Sequence, residues 1–214
     1  MNKALKFYLV TNCLKNIERT GWIYWNIPKK RLESIAEHIF GTCMLAIGID
    51  SEYDLDIDIN VVLKMLICHE LEEIVIGDNT PFDSMTEEEK LDLGKKGVEV
   101  VLEDLIKKDE YIALLDEFNE GESKNAKFAF YCDKLECVLQ ANVYDSTLNV
   151  SVSGASPILL NDETIIKLRE EGYNTVGDIF IEYDMRKRDY SQLPPFQEII
   201  EELRKNNIGE VLKR

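Results

Sequence analysis

Residues 65–78 read MLICHELEEIVIGD, and this stretch constrains any fold the chain can adopt. At helical spacing Val62, Met65, Leu66, His69, Glu73 and Ile76 share one face, so an imidazole and a carboxylate lie on an apolar stripe. Burying such groups costs kilocalories unless a partner compensates. Glu70 is turned from His69 by about 100° in helical geometry and flanks the same face. Glu72 points further round, toward solvent. The pattern predicts one helix over 59–76, ended by Gly77.

The same conflict recurs twice. Over 124–144 an apolar row of Ala126, Ala129, Phe130 and Cys137 is interrupted by Asp133. Ser34 and Glu37 have capping-box spacing, which opens a helix at Ser34 and places His38 near its first turn, followed by Gly41, Thr42 and Leu45. The chain has two histidines, and both occupy such positions. Two readings follow from the residues alone. The polar groups are hydrogen-bonded core residues, or they converge from three helices on a divalent cation, for which imidazoles and carboxylates are natural ligands. HELEE starts like the H-E-x-x-H of zinc proteases, but Glu73 stands where the second histidine belongs.

Helical periodicity dominates elsewhere. A first helix is expected over 2–18, with Leu5, Tyr8, Leu9, Cys13, Leu14 and Ile17 inward, followed by the aromatic and basic loop RTGWIYWNIPKKRLE. Thr86 and Glu89 form a second capping box opening a charged helix to about 108; DEYIALLDEFNEG makes a short segment closed by Gly121. A loop is expected over 146–157, β-like alternation near 176–183, and helices near 161–171 and 195–206, with the basic run MRKR between them. The fold expected is one all-α domain over 1–145, with 146–214 as a C-terminal helical and loop extension packed on it.

A formal charge of −16 argues against a nucleic-acid binder, since phosphate backbones need clustered positive charge. Residues 1–31 are the exception, with seven basic side chains against Glu18 alone, so a small anion fits that segment. No apolar run is long enough for a membrane span, and no secretory leader is evident, so a cytoplasmic location is expected. Five cysteines without a C-x-x-C pair read as reduced core thiols.

His38, then His69 with an acidic neighbour, then Asp133, resembles the metal site of the HD-domain phosphohydrolases. RTGWIYWN, ESIAEH, HELEEIVIGDNTP and DKLECVLQA together resemble the 5'-deoxynucleotidase branch over about residues 3–145. The resemblance implies an HD-domain helical bundle around one divalent ion (manganese, cobalt, zinc, iron, nickel or magnesium). It implies hydrolysis of deoxyribonucleoside 5'-monophosphates to deoxynucleoside and phosphate. Carried over by position, His38, His69, Glu70 and Asp133 are the metal ligands, Glu73 is the catalytic carboxylate, Asp78 is an active-site acid, and Trp22 borders the sugar. Arg19 is the first choice for the phosphate-binding arginine and Arg31 the second. The partners implied are a small nucleotide and, by family analogy, a second copy of the chain, with no nucleic acid or membrane. This chain departs from the family's His-Asp pair, having His69-Glu70, one methylene longer. Rival readings are an HD-domain phosphohydrolase for another nucleotide or a pyrophosphate, a weakly catalytic metal or nucleotide sensor, and a structural helical module.

Overall fold

The computed structural model describes residues 1–191, 193–206 and 208–213, apart from the Glu87 side chain. Among the described residues twelve α-helices are found, with three short 3-10 turns and no strand beyond two isolated bridges. None of these helices is long and apolar enough to cross a membrane. The fold is all-α, as the periodicity predicts.

Packing divides the chain into two units, Met1–Thr20 with Glu33–Cys132, and Gly21–Leu32 with Asp133–Arg214. This partition differs from the sequence boundary at 145: the cut falls within a continuous helix, and the loop after Thr20 goes with the C-terminal part.

The first unit begins with α1 (Lys3–Thr11) and a 3-10 turn over Asn12–Asn16. It continues through α3 (Ile35–Glu52), α4 (Ile59–Cys68), the short α5 (Glu73–Ile76), α6 (Glu87–Leu102) and α7 (Lys108–Glu120). Both capping boxes form: Ser34 with Glu37 opens α3, and Thr86 with Glu89 opens α6. Asp58 caps α4, and Gly121 ends α7 with φ 66°, a left-handed conformation that favours glycine. Leu14, Ile35, Cys68, Leu71, Val98, Val101, Leu102 and Leu115 form the core of this unit, with Phe7, Val10 and Ile17 packed against it.

The second unit contains α2 (Thr20–Tyr24) from Gly21 onward, and α8 (Lys124–Leu148) from Asp133 onward. It also holds α9 (Pro157–Leu160), α10 (Glu163–Glu170), α11 (Val176–Lys187) and α12 (Pro194–Lys205). Trp22 is buried there, edge-on to Tyr144 and tilted against Phe180, each at 5.2 Å between ring centroids.

Several expectations are corrected. Leu5, Tyr8 and Leu9 are about half exposed, because the chain tightens into a 3-10 turn at Asn12 and the inward row of α1 is Phe7 and Val10. Residues 176–183 are helical: Thr175 accepts from the Asp178 N–H, and Arg186 and Lys187 complement the carbonyl end. The charged helix ends at Leu102, short of 108. Phe130 and Cys13 are exposed, while Cys68 and Cys132 are buried as core thiols. The predicted helix over 59–76 is broken between Cys68 and Glu73, and this break shapes the site.

Candidate metal centre

The capping box fixes where α3 starts and therefore where His38 lies, four residues past Ser34 and fully buried. His69 follows the last residue of α4. Beyond it the backbone tightens, with Leu71 N–H donating to Cys68 O at 3.1 Å and Glu73 N–H to Glu70 O at 3.2 Å. An unbroken helix would hold Glu70 about 100° away from His69. In the turn over 69–72 the two side chains reach one point, with Glu70 Oε1 beside His69 Nε2.

His38, His69, Glu70 and Asp133 are all buried, and their ligand-capable atoms lie within 4.8 Å of one another. Glu70 Oε1 is 3.4 Å from His69 Nε2 and 3.6 Å from His38 Nε2. The imidazole rings are 5.6 Å apart, and Phe118 lies 5.5 Å from the His69 ring. A second set, His38 with Glu136 and Cys137, meets the same distance limit and shares His38.

The donor set fits a divalent cation. His69 Nδ1 is 2.7 Å from the Leu66 carbonyl oxygen. A carbonyl only accepts, so Nδ1 carries a proton, and in its neutral form the ring presents the Nε2 lone pair toward Glu70 Oε1. A cation seated between Nε2 and the Glu70 carboxylate would be held by both. A histidine whose second nitrogen is pinned by a backbone carbonyl is the usual arrangement in metal sites.

Acidic groups crowd the same place. Glu73 is 2% exposed, and its Oε2 has no hydrogen-bond partner among the described residues. Burial first, then the Glu70 and Asp78 carboxylates, push its pKa far above the ordinary carboxylate range. Glu72 was expected in solvent but is partly buried. Gly94 and Gly97 let α6 come close: a Cβ at Gly97 would lie 3.3 Å from the Glu72 backbone. Burial, reinforced by Glu70, pushes the Glu72 carboxyl up to about 7.

Arg19, the first choice for the phosphate-binding arginine, reaches this cluster. Its Nη1 donates to Glu70 Oε1 at 3.1 Å and to Asp78 Oδ1 at 3.2 Å. It is brought there by backbone pairing of residues 17–19 with 33–35, through Arg19 N–H to Glu33 O and Ile35 N–H to Ile17 O, both 2.9 Å. Asp78 follows Gly77, whose φ of 77° turns the chain. Asp78 also accepts from the Thr20 N–H, and its carbonyl accepts from Thr20 Oγ1 at 2.9 Å. It thereby holds the Arg19 segment in place. Arg31 is exposed and belongs to the second unit, as does buried Trp22.

Sequence reasoning missed three residues. Thr20 clamps Asp78. Glu136 is buried. Lys134 places Nζ 2.6 Å from Asp133 Oδ2. Only Lys134 had a legible signal, as a cation next in sequence to an acid on an apolar row.

The HD-domain profile matches residues 11–158. The chain belongs to the HD-domain family. It is 31% identical to the 5'-deoxynucleotidase HDDC2 of Danio rerio over 148 residues, covering 68% of this chain and 71% of that protein. It is 30% identical to the protein of the same name in Dictyostelium discoideum over 152 residues, covering 68% and 79%. A structure of a conserved hypothetical protein from Pyrococcus furiosus superposes on 94% of this chain and 99% of its own, with TM-score 0.63 and 24% identity. A predicted metal-dependent phosphohydrolase from Magnetospirillum magnetotacticum matches 68% of this chain and 72% of its own, with TM-score 0.58 and 25% identity. This HD-domain chain is thus a metal-dependent hydrolase related to the 5'-deoxynucleotidases.

Proposed function

We propose that this HD-domain chain hydrolyses deoxyribonucleoside 5'-monophosphates to deoxynucleoside and phosphate. The observation that supports it is the buried set His38, His69, Glu70 and Asp133, with Glu73 and Arg19 beside it. In this reading those four residues hold one divalent cation, which supplies Lewis-acid polarisation of phosphate and water. Two imidazoles in the donor set favour manganese, cobalt, zinc, iron or nickel over magnesium.

Glu73 takes the proton of the attacking water as the new P–O bond forms. It returns that proton to the 5'-oxygen as the old P–O bond breaks, so charge and atoms balance. Glu73 is buried beside the proposed ligands, where a carboxylate can take a proton and hand it on away from bulk water. Arg19 neutralises phosphate oxygens through its planar guanidinium, with Asp78 holding it in position. Trp22, fixed against Tyr144 and Phe180, is proposed to back the sugar side and to offer a 2'-hydroxyl no partner. A homodimer in the cytoplasm is proposed with this activity; light scattering on the purified chain checks the assembly.

Phosphate release from a panel of nucleotides, each assayed with manganese and cobalt, tests the activity. Deoxynucleoside monophosphates are expected to turn over ahead of ribonucleotides, triphosphates and pyrophosphates. Preference for a triphosphate or pyrophosphate would move the chain to another substrate within the family. Metal binding with no turnover of any substrate would leave a sensor.

A further inference from the structure

Trp22, proposed to back the sugar, takes its position from its neighbours. It is 3% exposed and lies 5.2 Å from the Tyr144 ring and 5.2 Å from the Phe180 ring, while Phe180 lies 5.9 Å from Trp25. Phe180 thus packs on both tryptophans, and it stands on α11, beyond residues 11–158 matched by the family profile. Backbone contacts fix the start of α11: Val176 N–H donates to Val150 O at 3.1 Å, and Val152 N–H to Asn174 O at 3.0 Å. At the next residue a Cβ on Gly177 would meet Asn142 Oδ1 at 2.9 Å and Asp145 Oδ2 at 3.1 Å, so the glycine lets α11 close on α8, the helix that carries Tyr144. Gly177 and Phe180 are three residues apart and share a helix face. The tryptophan segment is tied down separately, with Ser156 N–H donating to Tyr24 O at 2.7 Å and Asn26 Nδ2 to Gly154 O at 2.8 Å.

We propose that Phe180 is a positioning residue for sugar discrimination: it holds the Trp22 ring in place, so that α11 contributes to the choice between deoxyribose and ribose. The inference rests on the reading that Trp22 borders the sugar. An apolar wall rejects an added hydroxyl only modestly, and only while the wall does not yield. A ring packed on two sides cannot tilt unless its neighbours move with it. Removing the Phe180 ring leaves space beside Trp22, into which the indole can lean and make room for a 2'-hydroxyl. A deoxyribose, which needs no such room, gains little.

Steady-state phosphate release by the full chain with manganese tests this, on the matched pairs deoxyadenosine/adenosine and deoxycytidine/cytidine 5'-monophosphate, with wild type, Phe180→Leu, Phe180→Met, Phe180→Tyr and Trp22→Leu. The kcat/KM preference for deoxyribose is expected to fall about two- to tenfold in Phe180→Leu, the range that loss of an aromatic pair supports. The change should lie in a lower KM for the ribonucleotide, with kcat for the deoxynucleotide within about twofold of wild type. Phe180→Tyr keeps the ring and should keep the preference. Phe180→Met fills nearly the same volume without a ring and carries the test if Phe180→Leu does not fold. An unchanged preference overturns the inference, as does an equal loss of rate on both sugars, which would mark Phe180 as a structural residue only. A wild type without preference, or one whose preference survives Trp22→Leu, overturns the reading of Trp22 and this inference with it. A preference lost in Trp22→Leu and intact in Phe180→Leu or Phe180→Met overturns this inference alone.

Discussion

Asp184 and Glu73 are both carboxyl groups with almost no exposure, 3% and 2%, yet their surroundings are opposite. Asp184 meets the guanidinium of Arg188 one helical turn away and the Tyr190 hydroxyl. Its charge is answered from within the chain. Glu73 faces Glu70 and Asp78, whose charges outweigh those of Arg19 and Lys90, and one of its oxygens has no hydrogen-bond partner among the described residues. Glu70, Asp78 and Asp133 add further carboxyl groups to the same region, against which Arg19, Lys90 and Lys134 act. Buried acid that is fully paired is architecture. Buried acid that converges with two imidazoles is a place for something from outside, and a dication suits that donor set.

The largest expected difference between the two carboxyls is kinetic. Glu73→Gln should lower phosphate release by about 10²- to 10⁴-fold, the usual worth of a positioned acid or base. Manganese affinity and the unfolding midpoint of the variant should stay near wild type. Loss of bound metal would instead identify Glu73 as a ligand. Asp184→Ala should do the reverse. Removing one partner of a buried ion pair costs about 3 kcal/mol. For a chain of this size that lowers the unfolding midpoint by about 6–12 °C in a thermal scan. A neutral Asp184→Ala would show that the pair does not hold its unit together, and the contrast would collapse.

Saturating divalent cation should stabilise the acidic cluster, to which Asp184 has no counterpart. At a concentration a hundredfold above Kd, binding stabilises the folded chain by about 2.7 kcal/mol. The midpoint should rise by about 5–11 °C, and the rise should vanish in Asp133→Ala. The smallest effect concerns pH at Asp184. Burial raises its pKa above the unfolded value, against the opposing pulls of Arg188, Tyr190 and Lys134. The folded state therefore holds this proton more tightly, and the associated stability is complete below the ordinary aspartate value of about 3.9. It is lost as pH rises through the folded value. The midpoint of wild type relative to Asp184→Asn should accordingly fall as pH is raised from about 4 toward neutral, and a rising difference would contradict the assignment.

Much of the site was legible because its residues break a pattern. His38, His69 and Asp133 each interrupt an apolar row at helical spacing, and the structure gathers all three with Glu70. Ser34–Glu37 and Thr86–Glu89 announced two helix starts by side-chain chemistry that acts within four residues. What failed depends on contacts far along the chain. The turn over 69–72 interrupts a stretch whose periodicity is helical throughout, and nothing local in HELEE marks the break. Glu72 lost its solvent because Gly94 and Gly97 let α6 approach its backbone. Residues 176–183 alternate like a strand but fold as a helix, since Thr175 caps it and the buried Val176 and Ile179 lie three apart. Glu70 in place of the family's aspartate remains a variable to exploit. Glu70→Asp should preserve or raise both metal affinity and phosphate release if the longer side chain is a working variant, and a loss of both would show that this site is tuned to glutamate.

The most direct test of the account is the amount of divalent metal held per chain after manganese loading and exhaustive dialysis, measured by elemental analysis. Wild type should retain about one equivalent, and His69→Ala and Asp133→Ala should each retain almost none while still folded. A folded wild type holding less than about a tenth of an equivalent would contradict the account, leaving the four converging side chains as partners of one another only.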